Sequence, residues 1–137
     1  MRQRLKCNFL DYRMELNNTL FAFYGSLRKN MPLYKKFEHG LDYRFSAWIK
    51  GYQLFSLGDF PCAVKTNNET DKMLIEIFEV TQKNVAKEID ELEIGYGYYR
   101  DEVEVGNVRA LIYLFESLAN YPRISDGDWV KFFRSKR

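Results

Sequence analysis

The chain has 137 residues, 46% hydrophobic and 17% aromatic, with a formal charge of +2 from 21 Lys+Arg against 19 Asp+Glu. That length and apolar content indicate one domain with a real core and exclude a disordered tract. The near balance of charge argues against a dedicated nucleic-acid binder, and no apolar run approaches membrane-spanning length.

Asn8, Asp11, Arg13 and Glu15 interrupt the apolar stretch that a signal peptide needs, so a cytoplasmic protein is expected, with Cys7 and Cys62 as reduced thiols. Basic residues gather at both ends (Arg2, Arg4 and Lys6; Lys131, Arg134, Lys136 and Arg137) and read as solvated termini. Residues 1–18 show no settled periodicity and are read as an N-terminal extension ahead of one domain over 19–137.

The first clear element is a buried strand over 20–24, ending at Gly25. Pro32 opens a helix through Phe37, and Gly40 stops it. Strands follow over 45–50 and 52–57, with Gly51 marking a bend or bulge between them. Gly58-Asp59-Phe60-Pro61 is a turn and 62–65 a short strand; Asn67-Asn68-Glu69-Thr70 reads as a hairpin turn into a strand over 73–80. Thr81 is the expected N-cap of a helix over 82–93, which Gly95 and Gly97 end. Two strands, 98–105 and 108–115, are joined by the tight-hairpin pair Gly106-Asn107. After a loop containing Pro122, Ser125-Asp126-Gly127-Asp128-Trp129 turns into a short last element. The expected fold is α+β: a mixed, largely antiparallel sheet curled toward a barrel, with two helices against it.

Two places carry chemistry. On the helix over 82–93, Val85, Ile89 and Leu92 form a core-facing stripe, whereas Lys87, Asp90 and Glu91 read as solvent-side. Glu93 lies four residues after Ile89, so it points along the buried side, in the last turn where the helix dipole disfavours negative charge. Burial and dipole both raise a carboxyl pKa, the tuning a general base needs. A Glu93 that frays outward into solvent satisfies the same periodicity. The second place is Tyr24-Gly25-Ser26-Leu27-Arg28, directly after a buried strand. A glycine there admits close ligand approach, successive N–H groups can hold an anion, Ser26 adds a hydroxyl and Arg28 a charge. It is neither a dinucleotide fingerprint nor a P-loop.

In order, these pieces resemble the gamma-glutamylcyclotransferase-like family, which includes the gamma-glutamylamine cyclotransferases. The resemblance runs through Phe23-Tyr24-Gly25-Ser26-Leu27-Arg28, Gly51-Tyr52-Gln53-Leu54, Gly58-Asp59-Phe60-Pro61, Ile89-Asp90-Glu91-Leu92-Glu93-Ile94-Gly95, Tyr98-Tyr99-Arg100 and Gly127-Asp128-Trp129. Two positions depart from the pattern: Ile94 separates Glu93 from the glycine that usually follows it, and Ile75 stands where many members have Gly. The resemblance implies a small barrel flanked by helices and a cyclotransferase acting on a small-molecule gamma-glutamyl-amine or gamma-glutamyl-amino-acid substrate. Glu93 would be the general base. Tyr24, Gly25, Ser26, Leu27, Tyr98 and Arg100 would bind substrate, and 5-oxoproline and a free amine would leave. No metal or cofactor, nucleic acid or membrane is implied. A non-catalytic module holding a small ligand in the same pocket is the alternative. His39 reads as a surface residue, Cys62 as a small core residue, and Trp129 as packing for the last element.

Overall fold

The computed structural model describes residues 19–116 and 120–136. The extension over 1–18, with Cys7, and the terminal Arg137 lie outside the described residues. The elements are β1 (Thr19–Phe23), α1 (Pro32–Phe37), a 3-10 turn (Glu38–Gly40), β2 (Leu41–Lys50), β3 (Tyr52–Ser56), β4 (Pro61–Lys65), β5 (Lys72–Val80), α2 (Lys83–Gly95), β6 (Tyr99–Val105), β7 (Val108–Leu114) and α3 (Trp129–Ser135).

Five strands form one sheet in the order β2-β5-β1-β7-β6, and β3 and β4 pair as a separate two-stranded sheet. β1 lies at the centre, antiparallel to β5 and parallel to β7. Both faces of this centre are covered, and the alternation along each strand shows why. Phe21 and Phe23 on β1, Phe78 and Val80 on β5, and Leu111 and Tyr113 on β7 share one face, where Val85, Ala86 and Ile89 of α2 pack. Ala22, Ile75, Ile77, Ala110 and Ile112 share the other, under Tyr52, Leu54 and Ala63 of the small sheet and Trp129 of α3. Each fully buried side chain of this size contributes on the order of 1.5–3 kcal/mol, so two apolar faces hold the centre in place.

The α+β class and the largely antiparallel sheet match expectation, but the five-stranded sheet does not close, so "barrel" describes it only loosely. The turn at 67–70 is also not a hairpin. β4 pairs with β3 and β5 with β2 and β1, so this turn carries the chain from one sheet to the other. Gly51, at φ 86°, is where the chain leaves the large sheet for the small one. β2 begins four residues earlier than its pattern suggests, because residues 42–46 are exposed on an edge strand and carry no alternation to read. A register irregularity between Tyr43 and Phe45 adds to this. Gly106-Asn107 does close the β6–β7 hairpin, with Val105 opposite Val108.

The last motif is structural. Gly127 sits at φ 72° with its Cα so close to the Lys72 carbonyl that a Cβ would lie 2.2 Å from the oxygen. Its own carbonyl accepts from Leu74 N–H at 2.8 Å, tying the segment to β5. Asp128 then caps α3 by accepting from Lys131 N–H at 3.2 Å, and Trp129 is wholly buried.

Candidate active site

β1 ends in the middle of the sheet, so residues 24–27 line a space walled also by the C-terminal turn of α2, the turn between β3 and β4, and Tyr98 just ahead of β6. Gly25 is required there by packing. A Cβ at this position would lie 2.6 Å from Pro61 Cγ, so the fit against β4 itself calls for a glycine here, where the backbone also lines the pocket. Ser26 is buried and tied to the first turn of α1: its Oγ accepts from Leu33 N–H at 3.2 Å and its carbonyl from Tyr34 N–H at 3.0 Å. Among the described residues, no protein group accepts from the N–H of Gly25, Ser26 or Leu27, and all three residues line the pocket.

Arg28 does not offer its charge to that pocket. Its guanidinium turns into the protein, where Nε meets Glu76 Oε2 at 3.0 Å and Nη1 meets Asp128 Oδ1 at 2.9 Å. Glu76 Oε1 also accepts from Lys29 N–H at 2.7 Å. The buried arginine therefore clamps the far end of the loop to β5 and to the start of α3.

Opposite the loop stands Glu93. The helix begins at Lys83, with Gln82 rather than Thr81 at the cap position and no side-chain cap, and it runs on to Gly95. Glu93 thus belongs to a formed last turn, its carbonyl accepting from Tyr96 and Tyr98 N–H at 3.1 and 3.2 Å, and it does not fray. The intervening Ile94 points outward, 47% exposed, while Glu93 lines the pocket. Burial, and secondly the Asp90 carboxylate, push the Glu93 carboxyl up to about 7 from an ordinary 4.5.

Asp90 was expected in solvent but is half-buried, because residues three apart share a helix face. It accepts from Tyr113 Oη at 2.6 Å and pairs with Arg100 Nη1 at 3.4 Å. Three tyrosines complete the wall with their hydroxyls engaged. Tyr24 donates to the Tyr113 carbonyl, Tyr98 to the Pro61 carbonyl at 2.6 Å, and Tyr113 to Asp90. Burial raises the pKa of all three, so the phenols stay neutral. The pocket therefore holds one carboxyl, poised between its two protonation states near neutral pH, in an otherwise uncharged wall with backbone N–H groups nearby. Such a site can take up and return a proton while holding an anionic group or a developing oxyanion.

Of the residues singled out in the sequence, Tyr24, Gly25, Ser26, Leu27, Glu93 and Tyr98 meet in this pocket, and Arg100 does not line it. Strand alternation puts Arg100 on the same side as Tyr98, but its guanidinium is drawn to Asp90 instead. Tyr99 packs on the opposite face, against the core shared with α3. His39 is exposed, in the 3-10 turn. Cys62 is fully buried, and burial pushes its thiol up to about 11. Lining residues that the sequence reading missed include Phe60, Tyr96 and Tyr113. Tyr96, beside the helix end, carried a positional signal, whereas Tyr113 is indistinguishable from the other apolar residues of its strand.

A family model described as gamma-glutamyl cyclotransferase, AIG2-like, matches residues 21–131. A Pyrococcus horikoshii protein named "Putative gamma-glutamylcyclotransferase" is 36% identical over 108 residues, covering 79% of this chain and 88% of its own. The crystal structure of that protein superposes with a TM-score of 0.73 at 33% identity, over 86% of this chain and 95% of the other. An AIG2-like protein from Mus musculus shares the fold, with a TM-score of 0.62 at 20% identity over 75% of this chain and 80% of its own.

Proposed function

Since the chain belongs to the gamma-glutamyl cyclotransferase, AIG2-like family, we propose that it cyclises a gamma-glutamyl substrate, with Glu93 as general base and 5-oxoproline as product. The observation that carries this reading is the Glu93 carboxyl, half-buried, raised by burial to about 7 and lining the same pocket as the loop over 25–27.

The reaction needs one proton relay and no external nucleophile. Glu93 takes a proton from the alpha-amino group of the substrate. The freed nitrogen attacks the gamma-carbonyl carbon, a five-membered ring closes, and the bond from that carbon to the leaving nitrogen breaks. As the ring closes the attacking nitrogen gives up a second proton, and both protons, relayed in turn through Glu93, pass to the departing nitrogen, which leaves as an ammonium ion. Having nucleophile and carbonyl in one molecule supplies much of the advantage of proximity, on the order of 7–11 kcal/mol in favourable cases. The remaining tasks suit the groups present. A carboxyl raised from 4.5 to about 7 can accept and return a proton near neutral pH. The N–H groups of Gly25, Ser26 and Leu27 would hold the substrate carboxylate or the oxyanion of the tetrahedral intermediate. Tyr24 and Tyr98, fixed through their hydroxyls, would hold the ring-forming carbon chain in a folded conformation.

The test is incubation with a panel of gamma-glutamyl amides and gamma-glutamyl amino acids, with 5-oxoproline quantified by mass spectrometry. Time-dependent release from at least one member is expected. Saturable binding of panel members without release would indicate a ligand-binding module instead.

A further inference from the structure

The reactive end of the proposed substrate is committed to Glu93 and the loop over 25–27, so its other end must leave where the pocket opens. Among the described lining residues only two are exposed, Phe60 at 36% and Tyr96 at 62%, and they mark the mouth. They come from different elements, the turn between β3 and β4 and the C-cap of α2, yet their rings lie 5.8 Å apart with an interplanar angle of 35°. Both backbones are pinned. Leu57 N–H donates to the Phe60 carbonyl at 2.7 Å, and Tyr96 N–H donates to the Leu92 and Glu93 carbonyls at 3.2 and 3.1 Å. The mouth is thus a pair of aromatic rings carried on anchored backbone, continued inward by Leu57, Leu92 and Pro61.

Charge narrows the choice further. No Lys, Arg or His lines the pocket among the described residues, and Glu93 is its only carboxyl. Arg28 is paired with Glu76 and Asp128, and Arg100 with Asp90. A carboxylate on the leaving group would meet no cation and would sit in the field of Glu93, whereas an apolar or aromatic group would cover the two exposed rings. Resting on the cyclotransferase reading above, we infer that the leaving amine of the substrate carries an apolar or aromatic group and no carboxylate, laid against the paired rings of Phe60 and Tyr96.

The experiment compares four compounds: the N-benzyl and N-butyl gamma-glutamylamides, gamma-glutamylglycine, and the gamma-glutamyl amide of 1,4-diaminobutane as the cationic member. Initial rates of 5-oxoproline release give kcat/KM for each, and titration calorimetry on Glu93→Gln ranks their binding independently of turnover. The benzyl and butyl amides are expected to exceed gamma-glutamylglycine at least tenfold in both readouts, and Tyr96→Ala is expected to shrink that ratio. Equal or better performance by gamma-glutamylglycine or the cationic amide would overturn the inference. Turnover of none, with the apolar ranking kept in calorimetry, would overturn the cyclisation reading and retain the aromatic mouth. Binding of none would overturn both.

Discussion

Replacing Asp90 with Asn removes the charge beside Glu93 while keeping a carbonyl oxygen for the Tyr113 hydroxyl, which Asp90 now accepts at 2.6 Å. The two carboxyls are three residues apart on one helix face, roughly 5–6 Å between Cβ atoms. At an effective dielectric of about 20, two full charges at that distance would differ by nearly 3 kcal/mol, or about two pH units. Two observations reduce this. Burial is the larger cause of the rise of Glu93 from 4.5 to about 7, so Asp90 accounts for less than half of it. Arg100, 3.4 Å from Asp90, also offsets part of its charge. The expected change is therefore about one pH unit. The sign follows directly: Asp90 disfavours the anionic form of Glu93, so without it Glu93 ionises at lower pH. The assay is the pH profile of kcat/KM for 5-oxoproline release, whose acidic limb should fall from near 7 to near 6. Carbon-13 NMR of labelled glutamate carboxyls reads the same titration without turnover. An unmoved or rising acidic limb would refute the electrostatic account of the site.

Other perturbations test the supports of the pocket. Gly25→Ala brings a Cβ to 2.6 Å from Pro61 and is expected to cost about 1–3 kcal/mol in urea unfolding; a neutral result would mean that β4 is not packed against the loop as described. Arg28→Ala strands the buried Glu76 carboxylate, which it meets at 3.0 Å, and should cost about 3–5 kcal/mol by the same measurement. Glu93→Gln should stabilise the fold. A carboxyl raised from 4.5 to about 7 in the folded state destabilises it progressively as pH rises through that window, and the penalty persists above it. The substitution should raise the melting temperature at pH 8, by up to about 3 kcal/mol of stability, with the gain fading towards pH 4.5. A lower melting temperature at pH 8 would contradict the burial of this carboxyl.

Much of this architecture could be read from the residues. The β-strands were legible wherever a buried face forces alternation or an apolar run, as in β1, β5 and β7, which lie in the middle of the sheet. Legibility failed at the edge, where residues 42–46 of β2 are exposed and nothing selects their pattern. It also failed in connectivity: the turn at 67–70 has hairpin composition, and only the competing partners of β4 and β5 show that it joins two sheets. At the site, Glu93 was legible because its place on the apolar stripe of α2 conflicts with its charge. Arg28 and Arg100 were misplaced for a common reason. Each is near the pocket in sequence, but a carboxylate elsewhere draws its guanidinium away, Glu76 and Asp128 in one case and Asp90 in the other. Those partners lie between 10 and 100 residues away along the chain, a separation that local pattern does not reach.

The central claim is that Glu93 moves the proton that lets the substrate cyclise. Its most direct test is single-turnover release of 5-oxoproline from a gamma-glutamyl amide by the wild-type chain and by Glu93→Gln, which keeps the shape of the side chain and removes its basicity. The account predicts release by the wild type and a loss of at least a hundredfold in the variant, in keeping with the 10²–10⁴-fold worth of a positioned general base, with binding of the amide retained. Equal rates from the two proteins would contradict it.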